Sequence, residues 1–389
     1  MRFSRIELEN WRNFGHIDVA LQNRAFLVGP NASGKSNFLD AFRLLRDVVT
    51  PGGGLQKSVA DRGGVTRIRS LAARREPGRT ARRYPDVVVQ VALQEREETA
   101  WRYRLAFAQD NQRLPVLRGE KVWRGDELIL DRPDDEDRAD PARLRQTSLE
   151  QTIANREFRD IADFFASIRY YHIVPQLVRD PERSIGRQAD PYGGDFLEQI
   201  ASTTERTRQA RLRHILSALQ VAVPQLRELK LDRDERGVPH LYGNYEHWRA
   251  KGAWQTEADF SDGTLRLLGL LWALLDGTGS LLLEEPELSL HPEIVRYIPQ
   301  MMLRAQRKLK KRSIRQILFS THSSDLLRDE GIAPDEVLLV IPSQEGSIVR
   351  LGADIDEIKQ LLEAGLSVAE AVIPYAQPAD AVQLSLFGG

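Results

Sequence analysis

Residues 29–36 read GPNASGKS, and they stand between an apolar run at 25–28 and a segment whose apolar residues, Phe38, Leu39, Phe42 and Leu45, recur with helical spacing. Strand, glycine-rich turn and helix in that order supply the context that the spacing G-x-x-x-x-G-K-[ST] requires. Glycines let successive backbone N–H groups turn inward, at a helix N-terminus that already favours an anion. Gly29, Pro30, Asn31, Ala32, Ser33 and Gly34 would wrap the phosphates, with Asn37 one turn into the helix. Lys35 would reach the β- and γ-phosphates, and Ser36 would hold Mg²⁺. The expectation is an α/β chain that binds a nucleoside triphosphate.

Upstream, alternation predicts strands at 3–8 and 16–21. Downstream, a PGGG break at 51–54 precedes strands at 86–93, 101–107, 121–123 and 128–130. The acidic stretch DRPDDEDRADP (131–141) reads as a solvated loop or linker. From 143 to 220 the pattern is mostly helical, broken by a strand-like IRYYHIV at 168–174. A second α/β portion follows, with a helix at 265–275 and strands at 281–284, 316–320 and 337–341. The expected units are 1–130, a lobe carrying the phosphate loop; 131–254, a mainly helical insertion; 255–352, a second lobe; and 353–389, a helix and flexible tail.

The second lobe carries the residues suited to hydrolysis. SLLLEEPELSLHP (280–292) runs an apolar strand into Glu284 and Glu285. A carboxylate at such a strand end holds Mg²⁺ in P-loop enzymes, which suits Glu284. Glu285 is placed to orient or deprotonate the attacking water. ILFSTHS (317–323) ends a further strand at His322, whose ring could meet the γ-phosphate or the water. In DFSDGTLRLL (259–268), Ser261 is a candidate N-cap and Gly263 allows close backbone approach, with Asp262 between them. One nucleotide does not need two anion-binding helix ends from a single chain. The second end is therefore expected to meet the γ-phosphate held by another copy.

Composition narrows the alternatives. A net charge of −1 argues against a simple polyanion-coating protein, and the absence of cysteine excludes thiolate and disulfide chemistry. The longest apolar run, 267–275, is shorter than the roughly 20 residues a bilayer crossing takes. Met1 leads directly into the charged segment MRFSRIELEN, which does not read as a signal peptide. A soluble, cytoplasmic protein without membrane partners is expected.

Taken together these motifs resemble the ABC-type ATPases, specifically the SMC/RecF/OLD branch of the AAA-family ATPases, over about 1–130 and 255–345. The resemblance implies ATP and Mg²⁺ as cofactors, an ATP-dependent homodimer, and an ABC-type head with two lobes; no long heptad run lies between the two halves, so SMC-type coiled-coil arms are not expected. It implies that Arg12 and Asn13 lie near the base or ribose and that Lys35 and Ser36 form the Walker A pair. It further implies that Ser261, Asp262 and Gly263 belong to the signature motif, that Glu284 and Glu285 are the Walker B pair, that Ser289 falls in the D-loop and that His322 is the switch histidine. Gln90 and Gln94 are the candidates for the Q-loop glutamine. The signature reads S-D-G-T rather than L-S-G-G-Q, which argues against a transporter subunit, and Glu284 stands where aspartate is usual. Too few residues follow His322 for the Toprim nuclease domain of OLD proteins, so any nuclease chemistry is expected from a separately encoded partner. Genome maintenance and anti-phage defence both remain open, as does a nucleotide-gated scaffold with little turnover.

Two basic clusters invite contact with DNA. Residues 67–83 hold seven arginines against one glutamate, among them Arg67, Arg69, Arg74 and Arg75. Residues 304–315 hold seven basic residues and no acid, among them Arg304, Arg307, Lys308, Lys310, Lys311 and Arg312. Such patches neutralise phosphates without reading sequence; the alternative is a solvated helix face or loop. The first looks like a loop and the second continues a helix from about 293. Finally, Gln383, Leu384, Leu386 and Phe387 sit in QLSLF, which is similar to the Q-L-[SD]-L-F peptide that docks on the bacterial sliding clamp. The alternative is a terminal strand docked on the ATPase core. Clamp and DNA contact would make the protein nucleoid-associated.

Overall fold

Alternate residues of the apolar run before the phosphate loop enter two different cores. In the computed structural model, which describes residues 1–73, 85–95, 98–184, 190, 192–248, 253–308 and 315–377, Ala25 and Leu27 join one core while Phe26 and Val28 join the other. The same split divides Leu282 from Leu281 and Leu283, and Leu318 from Ile317 and Phe319. Strands covered on both faces need no polar alternation, which is why these segments read as unbroken apolar runs.

The first strands are β1 (Arg2–Trp11), β2 (Phe14–Ala20), β3 (Arg24–Val28), β4 (Val87–Glu95), β5 (Glu98–Gln109), β6 (Pro115–Arg124), β7 (Glu127–Arg132) and β8 (Arg169–Tyr171). After them come β9 (Leu226–Arg233), β10 (Pro239–Tyr245), β11 (Ala253–Thr256), β12 (Leu281–Glu284), β13 (Ile317–Thr321), β14 (Val337–Ser343) and β15 (Gly346–Leu351). One six-stranded sheet runs β2-β1-β4-β5-β6-β7 and is antiparallel throughout. The other runs β15-β14-β3-β13-β12-β8 and is parallel except for the β14–β15 hairpin.

The phosphate-loop helix, Lys35–Val49, lies in the first core and buries Phe38, Leu39, Phe42, Leu45 and Val48 as its periodicity requires. Phe3 of β1 meets Phe42 edge-on at 4.8 Å between ring centroids, and stacks on Phe165 at 5.9 Å. The helix Asp262–Leu275, expected to begin in the signature motif and called the signature helix below, fills the second core, burying nearly every residue from Thr264 to Leu274.

This two-lobed α/β architecture is the one expected from the motifs. The longest helix among the described residues, Glu205–Ala222, has 18 residues, so none of them forms a coiled-coil arm. No described helix is long and apolar enough to cross a membrane.

The stretch 131–254 departs from a single mainly helical insertion. Its helix Arg159–Ala166 packs in the first core, and β8 joins the parallel sheet beside β12. β9, β10 and β11 form a separate three-stranded antiparallel sheet, with the helix Glu205–Ala222 packed beside β9. β9 exposes most of its residues, and β8 has only three, so neither carries the apolar pattern that marks a buried strand. The helix expected from about 293 is two, Pro292–Val295 and Ile298–Lys308.

Candidate nucleotide site

The parallel sheet brings the separated motifs to one edge. β3, β13, β12 and β8 lie side by side and run the same way, so Gly29, His322, Glu285 and His172 all leave the sheet at their adjacent C-terminal ends. Ligands of open α/β sheets bind at that end.

The phosphate loop is shaped by left-handed residues, Ala32 at φ 63° and Gly34 at φ 109°. A side chain at Gly34 would be strained by that φ and would also meet Asn13 Nδ2 at 2.1 Å. Asn13 is a brace for the loop: its Nδ2 donates to the Ser33 carbonyl at 2.7 Å and to Ser347 Oγ at 2.8 Å, and its Oδ1 accepts from Asn37 at 2.9 Å. Ser347, on the unanticipated strand β15, also donates to the Ser33 carbonyl at 2.6 Å. The first N–H groups of the following helix have no intrahelical acceptor, and they open into this loop. Lys35 folds back, donating to the carbonyls of Gly29 at 2.9 Å and Pro30 at 3.1 Å. Burial pulls its ammonium below the ordinary lysine range, against the opposing fields of Glu285, Glu287 and Glu284.

Ser36 donates its hydroxyl to Glu284 Oε1, so the two groups expected to hold Mg²⁺ are already in contact across 248 residues of sequence. Hydroxyl and carboxylate are the hard oxygen donors this ion takes, and the pair fits it. Glu284 has two further neighbours that sequence reading missed, both from β8 and the residue after it. Tyr170 donates its hydroxyl to Oε2, and His172 Nδ1 lies 3.3 Å from the backbone carbonyl oxygen of Glu284. Burial, then the charge of Glu284, raises the Tyr170 hydroxyl above its ordinary range and keeps it a donor.

Glu285 and His322 also converge. His322 Nδ1 is 3.2 Å from Glu285 Oε1, and Lys35 Nζ is 3.8 Å from the same oxygen. Glu285 has a φ of 41°, a conformation non-glycine residues seldom adopt, and its N–H is held by the Ser320 carbonyl at 3.1 Å. Strained backbone of this kind clusters at functional sites.

Ser261 caps its helix as expected, its Oγ accepting from the Thr264 N–H at 3.2 Å. Asp262 pairs with Arg179 at 2.6 Å. Gly263 abuts the segment expected to be the D-loop: a Cβ there would lie 2.7 Å from the carbonyl oxygen of Ser289, itself at φ 62°. Among the described residues, no hydrogen bond joins 261–263 to 29–36 of the same chain.

Arg12 is engaged with Asp40 at 3.0 Å. Burial pushes the Asp40 carboxyl up, but Arg62, Arg43 and Arg12 together hold it below the ordinary range. Gln90 donates to Glu7 at 2.7 Å and Gln94 accepts from Arg2 at 2.6 Å, both on β4 in the antiparallel sheet, so neither is the glutamine of this site. The glutamine that follows β8 is Gln176, exposed in the short helix Pro175–Val178. Arg67 is exposed in the helix Val65–Ile68, and Arg69 bridges to Trp11, so this end of the first basic cluster is structured rather than a loop. Arg304 is exposed on the helix Ile298–Lys308, which also includes Arg307 and Lys308. Arg74, Arg75, Lys310, Lys311, Arg312 and the tail residues Gln383, Leu384, Leu386 and Phe387 lie outside the described residues.

A family model described as "AAA domain, putative AbiEii toxin, Type IV TA system" matches residues 24–329, from β3 to beyond His322. Endonuclease GajA of Bacillus cereus (strain VD045) is 45% identical over 47 residues, which are 12% of this chain and 8% of GajA, so the match spans a small part of that relative. Among solved structures, an SMC head bound to the C-winged helix domain of ScpA superposes with a TM-score of 0.56 at 15% identity, covering 90% of this chain and 98% of that one. An Smc head with an extended coiled coil, bound to the C-terminal domain of ScpA derived from Pyrococcus furiosus, gives 0.50 at 13% identity, covering 94% and 99%. At these identities the likeness is one of fold.

Proposed function

The chain belongs to the AAA-domain family matched over 24–329, and from that premise we propose that this SMC-like ATPase is a Mg²⁺-dependent ATP hydrolase that closes as an ATP-sandwiched homodimer on DNA. The observation that carries the reading is the convergence of Lys35, Ser36, Glu284, Glu285 and His322 at one sheet edge. When bound, Mg²⁺ would neutralise charge on the β- and γ-phosphate oxygens, held by Ser36 and Glu284. Lys35 would leave the Gly29 and Pro30 carbonyls for the phosphates, regaining a full charge partner. Glu285 would orient the attacking water and take its proton, and His322 would steady that carboxylate. Ser261 and Gly263 begin a helix whose free N–H groups would cap the γ-phosphate of the second subunit.

Glu285→Gln is the test. It should bind ATP, hydrolyse almost none, and sediment as a dimer only with ATP. An oligomer indifferent to ATP, with turnover unchanged, would sink the proposal.

Recruitment rests on sequence. The likeness of 383–387 to the clamp-docking peptide supports binding to the bacterial sliding clamp, and Arg67 and Arg304 support contact with DNA phosphates. Titration against purified clamp, with and without 383–387, decides the first; the salt slope of DNA binding decides the second. Such recruitment suits genome maintenance or phage defence.

The short match to an endonuclease favours a second reading, in which nucleotide state gates a separately encoded nuclease. Slow, DNA-insensitive turnover with a stably co-purifying effector would favour it over the first.

A further inference from the structure

Glu287 is the third carboxylate of the stretch that starts with Glu284 at the end of β12, and has no task so far. It is 5% exposed. Its Oε1 accepts from the Thr321 hydroxyl, while its Oε2 is buried and without a partner. Leaving a buried carboxyl oxygen unsatisfied is unfavourable, and a surface acid at this position would avoid the cost entirely.

What the arrangement secures is the turn bearing His322. Thr321 is fully buried, and its hydroxyl also accepts from the Ser323 N–H at 2.9 Å. His322 is therefore bracketed by Thr321, which donates to Glu287, and by Ser323, whose N–H is held by Thr321, whereas its own ring is 37% exposed and touches Glu285. Glu285 and Glu287 are joined in one tight turn, the Leu288 N–H donating to the Glu285 carbonyl at 3.3 Å. The charged groups around Glu287 are Glu285 and His322, with Lys35 on the phosphate-loop helix and Arg266 on the signature helix. Arg266 also has a buried Nε and Nη1 without partners.

We infer that Glu287 is a positioning residue for hydrolysis: through Thr321 it fixes the backbone on both sides of His322 and so sets the ring against Glu285. The inference rests on Glu285 and His322 being the hydrolytic pair, and the experiment separates the two. Glu287→Ala, Glu287→Gln and Thr321→Val are compared with the wild-type chain in nucleotide affinity, single-turnover hydrolysis, and the His322 ring resonances recorded without nucleotide. Glu287→Ala and Thr321→Val should each move those resonances and slow hydrolysis about tenfold or more, with affinity changed less than about twofold. Glu287→Gln keeps an oxygen that accepts from Thr321, and should keep the resonances and most of the rate. Thr321→Val carries the test alone if Glu287→Ala does not fold. Unmoved His322 resonances with hydrolysis intact would overturn the inference. Moved resonances in a protein whose wild type hydrolyses nothing would uphold the placement and sink the hydrolytic reading instead.

Discussion

Tyr170 donates its hydroxyl to one oxygen of Glu284 while Ser36 donates to the other. The carboxyl thus sits between the phosphate-loop helix and β8, at the junction of segments 114 and 248 residues apart in the chain. Tyr170 is itself fixed, with the Arg43 guanidinium 4.3 Å from its ring centroid.

Tyr170→Phe should therefore raise the Mg²⁺ concentration needed for half-maximal nucleotide binding. A hydrogen bond to a charged group contributes about 1.5–3 kcal/mol, so the shift should be about tenfold or more. Titration of Mg²⁺ at fixed fluorescent ATP reads it, with binding in EDTA as the control. Equal loss in EDTA would mean that Tyr170 supports the loop rather than Glu284.

Asn13→Ala distinguishes a brace from a base contact. The side chain joins the Ser33 carbonyl, Asn37 and Ser347. Its loss should weaken ATP and GTP alike, by about tenfold for one to two net hydrogen bonds. Calorimetry with both nucleotides checks this, and a loss confined to ATP would place Asn13 on the base.

Burial raises Glu287 to about 7, against the hydrogen bond from Thr321. Its ordinary value is 4.5, so between those values the folded chain holds a proton that the unfolded chain releases. Stability must then fall as pH rises across that window, by on the order of 3 kcal/mol in full. Glu287→Gln removes this slope and should gain on the wild type between about pH 5 and pH 8 in urea denaturation. A gap between the two proteins that ignores pH would contradict the assignment.

Gly263→Ala tests the seam between signature helix and D-loop. The added methyl carbon would meet the Ser289 carbonyl oxygen at 2.7 Å, and relieving such a clash costs about 1–3 kcal/mol. ATP binding should survive while ATP-dependent dimerisation and turnover drop about tenfold or more. Turnover equal to wild type would show that the helix start has room to shift.

Much of the site was legible in the sequence because its chemistry is local there. A strand, a glycine turn and a helix within 25–49 specify an anion site with their own backbone, whatever surrounds them. The same holds for Ser261 as a cap and for carboxylates placed directly after an apolar strand, since each relation spans a few residues. By itself, the sequence marked a candidate phosphate site, the order of the motifs, and β3, β12 and β13 as apolar strands.

Only the tertiary structure decided which strands are neighbours. β8 is three residues long, and its place beside β12 comes from register in a parallel sheet joined by distant crossovers. Tyr170 and His172 therefore carry no local mark of reaching Glu284, and Ser347 none of bracing a loop 314 residues earlier. Gln90 and Gln94 were reasonable candidates by residue type, yet their strand belongs to the other sheet. Glu287 reads as one more acid in a polar turn; its burial against Thr321 exists only because β12 and β13 pair side by side. Backbone geometry is written over a few residues, but desolvation and contact are properties of whatever the fold packs around a side chain.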